Sequence, residues 1–256
     1  MLIRITDHCT QACTHCIVDS TPSNKHMPFD EFMKAVKFAM ECGEGTILIS
    51  GGEPTDHPQF EDFLNYALLN FYGAVFVLSH GAFLKTKEDV DNLVGRYPNV
   101  MFQFTSDPLH YTKLISKEVI TYINAQSNAY VTESLLEIGV HIYPQGRAVR
   151  MGVTPETTRS IAAKCFNLRS IVYAGHDLKS ALHVLRGRQK MCTPSVNVDG
   201  SISMGESNQC PSIGQTTATQ ASLTDAIRCS QCDECGMIGG LEPQYKQAIG
   251  FKDKQN

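Results

Sequence analysis

The sequence predicts an α/β protein whose parallel sheet curves into an incompletely closed barrel, followed by a smaller C-terminal region of different texture. Three observations predict it. Strand-like and helix-like segments alternate about six times between positions 2 and 173, which is the pattern of βαβ units. Six repeats are too few for an eight-stranded barrel. From about Leu178 the alternation gives way to a short basic patch, clustered cysteines and a Ser/Thr/Gln-rich stretch.

Leu2–Thr6 alternates apolar and polar residues and reads as a first strand that runs straight into a cysteine loop. Pro28 stands at a helix start, with Phe29, Phe32, Met33, Val36 and Ala39 at helical spacing and Gly43 as the stop. Residues 46–50 form a buried second strand. Phe60, Phe63, Leu64 and Ala67 mark a helix after Pro58, and Ala74–Ser79 is the third strand. A helix over 87–96 turns Val90, Leu93 and Val94 inward, and Val100–Thr105 is the fourth strand. The pattern then predicts helix within 117–137, a fifth strand at 139–143, a helix over 155–164 and a sixth strand at 170–173. Alternation around Asp199-Gly200 predicts a hairpin with a two-residue turn over 196–203. Residues 212–224 read as loop, and the chain beyond Leu241 as a polar tail.

At 256 residues the chain can bury one large core plus a small appendage. Its 42% hydrophobic and 19% charged content is that of a globular protein. A net charge of −4 gives no general reason to expect a nucleic-acid partner. The strongest apolar run, 74–78, is strand-sized, and the N-terminus lacks a signal-peptide core, so no membrane association and a cytoplasmic location are expected. Of ten cysteines, three lie in 9–16 and five between 192 and 235, leaving Cys42 and Cys165 alone. Two clusters in a reducing compartment argue for metal rather than cross-links.

The first cluster is Cys9-x3-Cys13-x2-Cys16, with polar Thr10, Gln11, Thr14 and His15 between the thiols. A closed structural site takes four protein ligands, so three leave a coordination position open to another molecule. One strand later comes Gly51-Gly52-Glu53-Pro54, whose glycines permit close approach to the backbone. Together the two motifs resemble the radical S-adenosylmethionine (SAM) enzymes, whose fold is a partial (β/α)6 barrel. The resemblance implies that Cys9, Cys13 and Cys16 hold a [4Fe-4S] cluster whose remaining iron is chelated by SAM. It places Gly51, Gly52 and Glu53 at the methionine end of SAM, and it suggests Ser79, Thr105 and Asp107 as further contacts at strand ends. Each of those three is equally readable as a capped strand end. His15 stands where the family often has an aromatic. His110, Tyr111 and Tyr143 lie at the rim, where structural roles are the more common. A low-potential electron donor such as flavodoxin or ferredoxin is implied as partner.

The second group, Cys192, Cys210, Cys229, Cys232 and Cys235, flanks the predicted hairpin and closes the region. It resembles the C-terminal auxiliary-cluster modules of radical SAM enzymes, SPASM and its shorter form Twitch, and in layout the dehydrogenase of butirosin biosynthesis. Five cysteines are too few for a full SPASM module. On that resemblance Cys192, Cys210, Cys232 and Cys235 hold a second [4Fe-4S] cluster, with Cys229 in place of Cys235 as the other register and zinc as the other metal. The division that follows is a radical SAM barrel over 1–185 and an auxiliary Fe–S domain and polar tail over 186–256. The expected function is hydrogen abstraction from a small polar substrate (sugar, aminocyclitol or nucleoside), leading to oxidation, epimerisation or rearrangement. A peptide-modifying maturase is the alternative, disfavoured because no leader-binding segment precedes the first strand. A non-catalytic zinc-binding interaction module is the reading of another class. Arg147, Arg150, Arg186, Arg188 and Lys190 either face an anionic substrate or form a solvated basic surface.

Overall fold

The computed structural model of the protein describes residues 1–133, 146–151, 168–185, 194–206 and 210–230. Five strands, β1 (Leu2–Thr6), β2 (Thr46–Gly51), β3 (Ala74–Ser79), β4 (Val100–Thr105) and β5 (Ala129–Thr132), pair in parallel with their sequence neighbours. Helices α1 (Phe29–Glu41), α2 (Phe60–Asn70), α3 (Lys87–Val90, continued as a wider turn over Asp91–Gly95) and α4 (Lys117–Asn124) connect them.

Each strand divides its faces. Ile3 and Ile5, Ile47 and Ile49, Val75 and Val77, and Phe102 and Phe104 are almost wholly buried and share one core with the helices. Phe32 of α1 stacks on Phe63 of α2 at 4.4 Å between ring centroids, and burying each ring contributes about 2 kcal/mol. The alternate positions, among them Arg4, Thr6, Ser50, Gln103 and Thr105, face the other way and are more polar. That second face is the inside of the curved sheet.

The sheet does not end at β1. Strand β6 (Ser195–Val196) pairs in parallel with β1, and β7 (Ser201–Ser203) and β8 (Ser212–Gln215) follow antiparallel. Among the described residues the order is β5-β4-β3-β2-β1-β6-β7-β8. The C-terminal hairpin thus extends the sheet that carries the first cysteine loop.

Four sequence expectations differ from what is observed. The strand expected at 170–173 is instead helix α5 (Leu168–Tyr173): Leu168, Ile171 and Val172 are buried at helical spacing, and so short an apolar run does not discriminate period 2 from 3.6. Within 117–137 the expected helix is present as Lys117–Asn124, but a strand the sequence did not predict, β5, follows it, with Ala129 and Thr132 paired to β4. The segment 212–224 holds β8 and the start of α7 (Gln220–Cys229) rather than loop, with Thr219 capping Ser222 N–H and Leu223 and Ile227 buried. The 196–203 hairpin turns through three residues, not two: Gly200 N–H donates to Asn197 C=O at 2.9 Å, and Gly200 takes φ +75°, a type I turn closed by a left-handed residue. Helix α6 (Leu178–Leu185) precedes the hairpin. The strand expected at 139–143 and the helix at 155–164 lie outside the described residues.

Candidate active site

The cysteine loop leaves β1 at its C-terminal end, where parallel sheets carry their sites. Cys9 is 8% exposed, and Cys13 and Cys16 are half-buried. Cys9 Sγ accepts from Gln11 N–H and Cys16 Sγ from Ser20 N–H, both at 3.4 Å. Ala12 between them takes φ +52°, a left-handed conformation that costs a residue with a Cβ about 1 kcal/mol and persists because its surroundings impose it. Burial pushes the Cys9 thiol up to about 11 and the Cys13 thiol up to about 12. Such thiols become ligands when bound metal displaces their protons. Among the described residues no three His, Cys, Asp or Glu side chains converge on one ion position. Three thiols on one loop fall one short of a closed four-ligand site and leave a coordination position open.

Three braces hold the loop. The Gln11 side chain is fully buried, and its amide pairs with the backbone of Lys113, accepting from N–H at 2.7 Å and donating to C=O at 2.7 Å. The Thr112 hydroxyl adds a bond to the same amide oxygen at 2.8 Å. On another side Arg147 N–H donates to Cys16 C=O at 2.8 Å, and its guanidinium donates to Cys13 C=O at 2.7 Å, Ser20 C=O at 2.5 Å and Asp19 Oδ1 at 2.8 Å. Gly146, at φ +57°, lies so close to Cys16 and Ile17 that a Cβ would overlap their backbone. Arg150 also donates to Asp19, at 3.3 Å. Arg147 and Arg150 therefore serve the loop from behind. The third brace is the chain after β4: Thr14 N–H donates to His110 C=O at 3.4 Å, and the His15 ring packs on His110 at 4.8 Å and Tyr111 at 5.2 Å.

The Gly51-Gly52-Glu53 turn abuts the same loop. Gly52 N–H donates to Thr6 C=O and Glu53 N–H to His8 C=O, both at 2.7 Å. A Cβ on Gly52 would collide with the His8 carbonyl, so the glycine is required by the approach of β1's exit. Glu53 is fully buried. Its carboxylate accepts from Thr55 N–H and hydroxyl, Ser79 hydroxyl and His80 N–H. His80 Nδ1 accepts from Ala82 N–H, and its Nε2 lies 3.2 Å from Glu53 Oε2 without the alignment of a hydrogen bond.

The remaining predicted residues are engaged within the protein. Ser79 donates to Glu53 and accepts from Gly81 N–H at 2.9 Å. Asp107 is 1% exposed and accepts from Leu109 N–H at 2.8 Å while its other oxygen lies 3.1 Å from His110 Nδ1. Thr105 hydrogen-bonds Tyr111, whose hydroxyl burial pushes well above the usual phenol range. Of the second cysteine group, Cys210 follows β7 and Cys229 is exposed at the end of α7. Cys192, Cys232 and Cys235 lie outside the described residues, as do Tyr143 and Cys165. Sequence reasoning did not find Gln11 as a site residue, whereas His80 drew notice beside Ser79 at the end of the third strand. No periodicity marks Gln11; only its place inside the cysteine motif does.

Residues 3–141 match the protein family described as the Radical SAM superfamily. The chain belongs to the radical SAM superfamily. Members of this superfamily are enzymes that employ a [4Fe-4S] cluster and SAM and need a reductant, which sets aside the non-catalytic zinc module. No curated protein sequence matches the chain. Solved structures do, at the level of fold. BtrN, solved with AdoMet and 2-DOIA, aligns with TM-score 0.58 and 10% identity over 98% of this chain and 86% of its own. The enzyme anSMEcpe, solved with AdoMet and the Cp18Cys peptide, aligns with TM-score 0.55 and 12% identity over 96% and 84%. SuiB from Streptococcus suis, solved with the precursor peptide SuiA, aligns with TM-score 0.53 and 11% identity over 100% and 67%. The mixed α/β architecture is thus the partial barrel of radical SAM enzymes. No helix among the described residues is long and apolar enough to cross a membrane.

Proposed function

We propose that Cys9, Cys13 and Cys16 hold the [4Fe-4S] cluster of this radical SAM enzyme, and that it abstracts hydrogen from a small polar substrate such as a sugar, aminocyclitol or nucleoside. The observation that carries the reading is the set of three partly buried thiols on a braced, open loop beside the Gly52–Glu53 turn. Cluster and SAM together would supply reductive cleavage of a sulfonium and the 5′-deoxyadenosyl radical. The protein's part is placement. Gln11 and Arg147 fix the loop, and Glu53 locks the ends of β2 and β3 beside it. The methionine ammonium of SAM is a donor, so carbonyl oxygens of the Gly51-Gly52 turn would take it, while the Gly52 and Glu53 N–H groups stay on Thr6 and His8. Ser79, Thr105 and Asp107 shape the adjoining wall chiefly through the residues they hold.

A small substrate is supported by a cavity of about 620 Å³ between β1 and the hairpin, whose wall holds Asp7, Asp199 and Asn197 together with Arg4, Lys25 and His26. That volume suits a metabolite, and its mixture of charged and amide groups suits a polar one. The second reading is peptide modification, favoured by likeness in fold to anSMEcpe and SuiB, both solved with peptides. The residues 186–256 are proposed as a Twitch-like domain with a second cluster on Cys192, Cys210, Cys232 and Cys235, Cys229 replacing Cys235 in the other register.

Anaerobic reconstitution tests all of this. Iron near eight per chain is expected for two clusters, and about four would remove the second. With SAM and dithionite the protein should release 5′-deoxyadenosine; none released sinks the reading. Deuterium transfer into 5′-deoxyadenosine from labelled polyols or nucleosides, rather than from peptides, separates the substrate classes.

A further inference from the structure

The cavity between β1 and the hairpin has a balanced wall, with Arg4 and Lys25 against Asp7 and Asp199. Its two sides differ in how far those groups are already engaged. The hairpin side is engaged with itself: Asp199 Oδ1 accepts from Ser201 N–H at 3.0 Å, and Asn197 Nδ2 donates to Ser201 Oγ at 3.0 Å. Lys25 and Asp199 are exposed at the rim.

The β1 side is left open. Arg4 is 6% exposed. Its Nη1 donates to Asn197 Oδ1 at 3.0 Å, a neutral amide, and its Nη2 is buried with no hydrogen-bond partner. A guanidinium keeps its charge at any physiological pH, and a buried cation without a paired anion is destabilising. Burial lowers the Arg4 pKa, and the opposing charges of Glu206 and Asp7 do not offset it. The carboxylates already present therefore leave this cation under-compensated. Asp7 is the counterpart. It is half-buried, and among the described residues its carboxylate accepts no hydrogen bond and forms no ion pair.

The backbone explains how two such groups share one wall. Positions 4 and 7 of a regular strand face opposite ways. The pairing of β1 with β2 shifts between Arg4 and Thr6, and one extra residue there resets the alternation. Both side chains then line the same cavity. About 10 Å of strand lies between them, room for a ligand with a charge at each end.

We propose that this cavity binds a small zwitterion, with an anionic group (phosphate or carboxylate) against Arg4 and an ammonium against Asp7. The proposal rests on the reading of the cavity as the substrate's place given under Proposed function, and it narrows that substrate to one carrying both charges. A polyanion would meet Asp7 and Asp199, and a polyamine would meet Arg4 and Lys25. A ligand with one charge of each sign supplies what each open group lacks, through charge-assisted hydrogen bonds.

Calorimetric titration of the reconstituted full chain with SAM tests this, using sugars on one skeleton: glucosamine 6-phosphate with both charges, glucose 6-phosphate, glucosamine, and glucose with neither. Removing either charge is expected to weaken binding about tenfold. Comparison with 2-amino-2-deoxyglucuronate shows whether phosphate or carboxylate is the anion. Asp7→Asn should erase the preference for glucosamine 6-phosphate over glucose 6-phosphate and keep its preference over glucosamine; Arg4→Gln should do the reverse. The ligand series on the wild-type chain carries the test alone if Arg4→Gln does not fold. Glucose bound as tightly as glucosamine 6-phosphate, or preferences unmoved in both variants, overturns the proposal and leaves the cavity as a substrate site. If no sugar binds while labelled polyols still pass deuterium to 5′-deoxyadenosine, the proposal falls and hydrogen abstraction from a small substrate stands. If neither happens, the small-substrate reading falls with it.

Discussion

Ser79 Oγ, at the end of β3, donates to Glu53 Oε1, just past the end of β2, at 2.8 Å with both groups buried. Parallel strands need no such tie to pair, so the bond acts on the strand ends, where the two turns of the site begin. Glu53→Ala leaves the Thr55 and Ser79 hydroxyls and two backbone N–H groups without their acceptor. It should lower apo-protein stability by about 2–4 kcal/mol, read as a shift of the urea midpoint. Glu53→Gln keeps the shape but turns one acceptor into a donor, and should cost about half as much.

Gln11→Ala removes the amide that pairs with Lys113. The expected loss is about 1–3 kcal/mol, confined to the loop. Hydrogen exchange at the Lys113 amide should accelerate while exchange in β2 and β3 stays unchanged; uniform acceleration would mean that the amide stabilises the whole fold instead.

Arg147→Lys keeps the charge and loses the planar fork that reaches Cys13, Asp19 and Ser20 at once. With about 1.4 kcal/mol less holding the loop, iron affinity should fall about tenfold, measured by competition with a chelator during reconstitution. Asp19→Asn, which leaves both carbonyl contacts in place, should have the smaller effect.

His57 gives the pH dependence. Its Nε2–H donates to Met27 C=O at 3.0 Å, and its Nδ1 accepts from Gln59 N–H at 3.0 Å, so a proton added to Nδ1 breaks the second bond. Burial lowers its pKa from the ordinary 6.5, with the nearby His26 acting the same way and the Met27 bond opposing. The unfolded chain therefore binds a proton that the folded chain refuses. The stabilisation is complete above pH 6.5 and declines as pH falls from there toward the folded value. The urea midpoint should fall between pH 7.5 and 5.5, and His57→Asn should flatten that decline.

The core of the fold was legible because β1 to β4 and the first two helices write their burial as clean periods: Phe32, Val36 and Ala39 on one helix, Ile47 and Ile49 on one strand. The cysteine loop was legible because thiol spacing carries chemistry directly. Ala129–Thr132 was hidden in a stretch of helical pattern, since its two buried side chains stand three positions apart, a helical spacing. Leu168, Ile171 and Val172 misled in the other direction, since so short an apolar run fits either period. Residues 212–224 looked like loop because polar side chains dominate an edge strand and an exposed helix face, leaving only Ile213, Leu223 and Ile227 as signal. Contacts such as Gln11 with Lys113 or Arg4 with Asn197 join residues more than a hundred positions apart, and local spacing is blind to them.

Arg147 reaches back 134 residues to Cys13 and 128 to Asp19, which sets an order in time. A chain growing at 5–20 residues per second takes on the order of ten seconds to travel from Cys16 to Arg147. During that interval β1 and β2 can pair, yet the three thiols lie in a loop whose rear support has not been made. Closing so long a circuit is also slow relative to local helix formation. The loop therefore acquires its final shape late, and its sulfurs pass through a period when oxygen can reach them before metal does. Cells growing without air should consequently yield a larger fraction of chains competent to take up iron.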